Sequence, residues 1–199
     1  MKIVIIGAGG TIGSAVVAEL RQRHEVIEAA RSHGAHRVDV LDPASIARLF
    51  AEVGKVDAVV TTTGKLHFGP LAEMTPEQFR IGLDDKLMGQ IGVVLAGIAA
   101  INDGGSFTLT SGILSEEPVR SGASASAVNG ALEGFVRGAA VDLPRGIRIN
   151  VISPTVLTES MDAYGAFFPG FESADAARVA LAYARSVEGV QTGRVYKVW

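Results

Sequence analysis

The chain has 199 residues, 48% of them hydrophobic, enough for one domain around a single filled core. A net charge of -3 and an isoelectric point of about 5.8 exclude the basic stripe of a general nucleic-acid binder and point to small-molecule partners. Cysteine is absent, which excludes disulfides and thiolate metal centres, and no metal site is expected. With no secretory-type leader and no run near the roughly 18 apolar residues of a membrane span, a cytoplasmic protein is expected.

The run Lys2 to Ile6 enters directly into Gly7-Ala8-Gly9-Gly10-Thr11-Ile12-Gly13, which reads as a buried strand turning tightly into a helix. Glycines let backbone approach a pyrophosphate, and the free N–H groups at the helix start, with the positive end of the helix dipole, favour an anion. The spacing is GxxGxxG, at Gly7, Gly10 and Gly13; taken alone it is equally consistent with turn punctuation. Ile12, Ala15, Val16 and Leu20 keep helical spacing, and Glu25 to Ala30 then reads as a second strand. Further short strands are predicted at 37–40, 58–61, 106–110, 148–152 and 195–199. Helices are predicted at 44–52, 75–101 and 123–143, the second opening with Thr75 as cap and Pro76 in its first turn. Such alternation implies βαβ units and a mostly parallel sheet. The long apolar face Leu87, Ile91, Val94, Leu95, Ile98, Ile101 packs on the sheet, on another subunit, or on both.

Parallel sheets bind ligands at the carboxyl ends of their strands. Arg31 and Ser32 follow the second strand, where an NAD-binding protein usually offers a carboxylate to the adenosine ribose. An arginine there suits a 2′-phosphate, through bidentate charge-assisted hydrogen bonds, so NADP(H) is the expected cofactor; a solvated surface arginine is the plainer alternative.

These residues resemble the short-chain dehydrogenase/reductase family over nearly the whole chain. Gly7 to Gly13 is similar to the family's TGxxxGxG or TGxxGxxG loop, with Ile6 in place of the threonine and Thr11 where many members have glycine. Gly146 to Pro154 is similar to GIRVNxVxPG, with Thr155 replacing the last glycine. Asp39-Val40 resembles the adenine-contacting pair, and Thr61-Thr62-Thr63-Gly64 stands where the family has NNAG. The resemblance implies a three-layer Rossmann-type α/β domain spanning 1–199 and a nicotinamide cofactor. It also implies a homodimer or homotetramer built on the long helices 75–101 and 123–143. The cofactor site it implies comprises Gly7, Gly10, Thr11, Ile12, Gly13, Arg31, Ser32, Asp39, Val40, Thr62, Thr63, Gly64, Ser111, Asn129, Pro154 and Val156.

The chain departs from the family at the reaction centre. Alignment on Ala131 to Phe135 puts Ala125 at the tyrosine of YxxxK and Asn129 at the lysine. The usual Ser-Ser pair becomes Ser111-Gly112, and the helix asparagine of NxxG becomes Lys86 in Lys86-Leu87-Met88-Gly89. In the family the tyrosine transfers a proton at the substrate oxygen while the lysine lowers its pKa and holds the nicotinamide ribose. The candidates left are Ser111, Lys86 and Asn129. A partly desolvated Lys86 has a depressed pKa and serves as proton donor, or else it holds phosphate or carbonyl groups structurally. Asn129 can still hydrogen-bond the ribose. His67 and Tyr164 are alternative proton sources. The lid near 159–172 is short for the family, which predicts an open pocket, and Leu66, Ile113, Leu114 and Phe167 give it an apolar lining. Two readings follow: an atypical NADP(H)-dependent oxidoreductase acting by hydride transfer on a small carbonyl or related compound, or a non-catalytic NADP(H)-binding protein such as a redox sensor or cofactor-dependent assembly partner. A fold remnant that binds no nucleotide is the third possibility.

Overall fold

A computed structural model describes residues 1–32 and 34–199. Its parallel sheet has the order β3-β2-β1-β4-β5-β6-β7, with β1 (Lys2–Ile6), β2 (Glu25–Ala30), β3 (His36–Arg37), β4 (Val56–Thr61), β5 (Ile101–Thr110), β6 (Arg148–Pro154) and β7 (Val195–Val198). The order reverses beside β1, so β1 and β4 leave a crevice at their carboxyl ends, where Rossmann-type sheets take their ligands.

Strand β1 shows why the sheet needs cover on both faces. Ile3 and Ile5 join one buried cluster with Val16, Leu20, Tyr183 and Val187, from α1 (Thr11–Leu20) and α7 (Ala176–Glu188). Val4 and Ile6 point the other way, into a cluster with Leu49, Val93 and Leu132, from α2 (Pro43–Val53), α4 (Gly89–Gly97) and α5 (Ala123–Asp142). Three layers result. Among the described residues no helix is long and apolar enough to cross a membrane.

Several element boundaries differ from expectation. The strand expected at 37–40 stops at Arg37: Asp39 accepts from the Leu41 backbone N–H at 3.0 Å, an Asx turn that swings Val38 to Val40 toward the crevice. The helix expected over 75–101 is built from α3 (Pro76–Gly82), a π-helical turn at Leu83–Met88, and α4; it ends at Gly97, and Ile101 opens β5. Thr75 does cap α3, exchanging hydrogen bonds with Gln78. Its apolar face divides, with Val94 buried and Leu95 62% exposed. Helix α7 was not anticipated, because its buried face, Ala176, Val179, Ala180, Tyr183, Ala184, Val187, is half alanine. The segment 159–172, expected as a lid, contains α6 (Met161–Tyr164) between two 3-10 turns.

Candidate functional site

The glycine loop is shaped by steric need. Gly7 has φ of +90°, and a Cβ there would lie 2.8 Å from Thr62 Oγ1 and 2.9 Å from Thr63 Cγ2. A Cβ on Gly13 would lie 2.1 Å from the Gly7 carbonyl oxygen, so only glycine allows α1 to start so close to β1. Backbone N–H groups of Gly7 and Ala8 donate to Ala29 O, and Thr62 Oγ1 donates to Gly7 O at 3.1 Å, which joins the ends of β1, β2 and β4. No side chain caps the first turn of α1.

A cavity of about 320 Å³ opens on this loop. Of the expected cofactor residues, Gly7, Gly10, Arg31, Asp39, Val40, Thr62, Thr63 and Gly64 line it. Arg31 is exposed at its rim, and Ser32 is exposed beside it. Thr11 and Ile12 stand in the first turn of α1, and Gly13 is buried beneath the loop. A second cavity, about 410 Å³, shares Gly64 and Lys65 with the first and is lined further by Leu66, Phe68, Ile81, Val156 and Phe168. Val156 thus belongs to this second chamber. Ser111, Asn129 and Pro154 are buried and line neither cavity.

A buried polar cluster lies behind Gly64. Lys86, 7% exposed, comes from the π turn, whose extra residue rotates the helix face relative to an unbroken α-helix. Its aliphatic stem packs where a Cβ on Gly64 would sit, 2.4 Å from Lys86 Cγ. Its ammonium donates to Ser111 O and to Asn129 Oδ1, both at 2.8 Å. Burial disfavours the charged form and pulls its pKa down from 10.5 to about 8. Gly112 fits the same arrangement, since a Cβ there would press within 3.1 Å of Asn129 Nδ2. On the far side of Ser111 stands Glu133, buried on α5, which accepts from Ser111 Oγ at 3.1 Å and Ser115 Oγ at 2.7 Å. The sequence reading missed Glu133; its signal was a carboxylate within the apolar run Ala131 to Phe135. Nearby, Gln90 ties the helix to the sheet, accepting from Thr61 Oγ1 at 2.5 Å and donating to Thr110 O at 2.9 Å.

Position 125, where the resemblance implies the family's tyrosine, is closed. Ala125 is wholly buried in a cluster with Ile113, Leu114, Val156 and Phe168. Ile113 and Leu114, expected in the pocket lining, are buried in that cluster instead, and Phe167 lies outside the cavity wall, so of those four only Leu66 lines it. Tyr164 and Ser160 reach the second cavity from the lid; His67 does not line it and folds back toward Gly69.

The family model described as enoyl-(acyl carrier protein) reductase matches residues 7–196. The chain belongs to the short-chain dehydrogenase/reductase family. This short-chain dehydrogenase/reductase is 51% identical to the crystal structure of the protein lin1944 from Listeria innocua, each chain covered in full, with a TM-score of 0.98. It is 26% identical to a small-chain dehydrogenase solved in complex with NADPH, covering 100% of this chain and 96% of that one, with a TM-score of 0.89. Among curated proteins it is 29% identical over 183 residues to versicolorin reductase 1 of Aspergillus parasiticus, 79% of this chain and 70% of that protein. Tetrahydroxynaphthalene reductase of Pyricularia oryzae is 28% identical over 176 residues, 76% of this chain and 62% of that protein.

The crevice fits a nicotinamide dinucleotide on its own geometry. The positive φ at Gly7 and the close packing at Gly13 bring bare backbone to the end of β1, Thr63 Oγ1 is buried in the cavity wall without a partner among the described residues, and Arg31 stands exposed at the rim.

Proposed function

We propose that this oxidoreductase is an NADP(H)-dependent reductase of small, largely aromatic carbonyl compounds. The observation that carries this reading is the meeting of two chambers at Gly64 and Lys65, one with a phosphate cradle and an arginine, the other apolar. The names of the curated relatives, a versicolorin reductase and a tetrahydroxynaphthalene reductase, support an aromatic substrate.

Gly7, Gly10 and the first turn of α1 at Thr11, Ile12 and Gly13 would hold the pyrophosphate; Arg31 and Ser32 the 2′-phosphate; Asp39 and Val40 the adenine. Thr62, Thr63 and Gly64 would flank the ribose. When bound, the nicotinamide supplies a hydride to the substrate carbonyl carbon. The protein's part is to orient the substrate against the apolar wall, exclude water and provide the matching proton. Lys86 is the buried proton reservoir behind Gly64: its ammonium is held by Ser111 O and Asn129 Oδ1, and desolvation makes it a stronger acid than a surface lysine. Ser111 and Asn129 position it, and Val156 is part of the wall of the second chamber.

Self-association through the long helices belongs to the same reading. Gly130, Gly134 and Gly138 leave open space on the outer side of α5, and Leu95 on α4 and the 90%-exposed Val141 on α5 stand unburied.

The test is NADPH oxidation against a panel of aromatic ketones, aldehydes and quinones, with product alcohol counted against cofactor consumed. Stoichiometric turnover above background is expected. Saturable NADPH binding with no turnover on any member would sink the reductase reading. It would favour the non-catalytic binder, for which the sealed apolar surroundings of Ala125 speak.

A further inference from the structure

The second chamber carries a charge pattern that its apolar lining does not require. Phe68 stands between two aromatic neighbours, with ring centroids 6.1 Å from Tyr164 and 5.2 Å from Phe167. No carboxylate lines this chamber, and its one formally charged residue is Lys65. The Lys65 backbone is pinned, its N–H donating to Asp85 Oδ1 at 2.7 Å. Its ammonium has no hydrogen bond or ion pair among the described residues. Asp39 and Asp85 line the first cavity and not the second, and the Asp85 carboxylate accepts from the Lys65 main chain.

Lys65 therefore stands, exposed, at the seam of the two cavities, with carboxylates on the side of the first cavity and none lining the second among the described residues. A flat apolar recess of about 410 Å³ with one cation at its mouth is the inventory that recognises an aromatic body bearing an ionised oxygen. A neutral ligand would leave that ammonium to water. An anion would make a charge-assisted hydrogen bond to it, stronger than one to a neutral acceptor.

We propose that Lys65 is a specificity-determining residue that selects aromatic substrates carrying a carboxylate or phenolate, with the anionic oxygen held at the seam and the ring body against Phe68 and Phe168. This deepens the reductase reading and rests on it for the word substrate, but its test requires no turnover. Full-length protein, with and without saturating NADP⁺, is titrated calorimetrically with 2-naphthoate and its neutral isostere 2-naphthamide, for the wild type, Lys65→Met and Lys65→Arg.

The wild type is expected to bind 2-naphthoate at least about tenfold more tightly than the amide. Lys65→Met is expected to abolish that preference while leaving 2-naphthamide affinity within about twofold, and Lys65→Arg to keep most of it. Equal affinity of the wild type for the two probes, or no binding of either, overturns the proposal. So does a Lys65→Met variant that loses NADP⁺ affinity yet keeps the preference, which would make Lys65 a phosphate contact. A protein that shows the preference but oxidises no NADPH would overturn the reductase reading alone.

Discussion

Lys86 Nζ donates to Asn129 Oδ1 at 2.8 Å between the π turn and α5, joining the two positions where the family resemblance implies an asparagine and a lysine. The π turn brings Lys86 inward, Gly64 leaves room for its stem, and Gly112 leaves room for the Asn129 amide. Lys86, Asn129, Gly64 and Gly112 therefore form one packing arrangement. Replacing either partner alone breaks it: Lys86→Asn strips Ser111 O and Asn129 Oδ1 of their donor, and Asn129→Lys buries a second ammonium against the first. Each single variant is expected to lose roughly 2–4 kcal/mol of stability in urea denaturation. The double variant Lys86→Asn/Asn129→Lys is expected to recover more than half of the summed loss, because it rebuilds the pair in mirror orientation. Losses that simply add would show that the two positions are independent.

The lowered pKa of Lys86 makes a statement about stability and about rate. In the unfolded chain the lysine titrates at 10.5, in the folded protein at about 8. Between those values the unfolded state binds more protons, so folding stability rises with pH across that window, while below pH 8 the full cost of burying the ammonium is present. Relative to Lys86→Met, the wild type should gain roughly 3 kcal/mol between pH 7.5 and 10.5. Urea melts of both proteins at the two pH values measure the difference; parallel behaviour would show that Lys86 keeps an ordinary pKa. If the same ammonium donates the proton in carbonyl reduction, kcat should fall tenfold per pH unit above about 8.

How much of this was legible beforehand depends on how far apart the partners lie in the chain. Strand β1 and the glycine loop were readable because a buried parallel strand is apolar throughout and Gly7 and Gly13 answer contacts made by immediate neighbours. Arg31 and Thr62 to Gly64 were readable because residues just past a strand end must reach the crevice. The lysine–asparagine pair was visible as two odd residues, but not as a bond, because Lys86 and Asn129 are 43 positions apart and only the π turn aims one at the other. Glu133 and Lys65 escaped notice for the same reason: Glu133 acquires meaning from Ser111, 22 positions away, and Lys65 from lying where two cavities join. Helix α7 was lost to its alanine-rich buried face, in which one tyrosine supplies most of the bulk.

Arg31 should divide the two nicotinamide cofactors. It is exposed at the rim of the 320 Å³ cavity, and only NADPH offers it a 2′-phosphate. Arg31→Ala should remove charge-assisted hydrogen bonds contributing roughly 1.5–3 kcal/mol, about 10- to 150-fold in NADPH affinity, while NADH affinity changes little. Titration by cofactor fluorescence reads both. Equal losses for the two cofactors would place the arginine elsewhere than at the 2′-phosphate.

Restoring the family's tyrosine should fail, for a reason visible in the packing. Ala125 has no exposed surface, and Val156 and Phe168 belong both to the cluster around it and to the wall of the 410 Å³ chamber. A phenol at 125 would have to push those two side chains aside before its hydroxyl reached the chamber. Overpacking of this kind usually costs about 1–3 kcal/mol, and a whole ring belongs at the upper end. Were the hydroxyl to stop short, burying it without a partner would add a further cost of roughly 1–3 kcal/mol. Asn129 would also be unable to play the part of the lysine that normally acidifies the tyrosine, because its amide carries no charge. Ala125→Tyr should therefore lower the urea midpoint and leave kcat for NADPH-dependent reduction unchanged or reduced. Added Asn129→Lys should not rescue it while Lys86 remains, since two ammonium groups would then compete for Ser111 O. An Ala125→Tyr protein of undiminished stability and faster turnover would show that the apolar cluster yields easily, and that this chain lacks only the phenol to follow its family's chemistry.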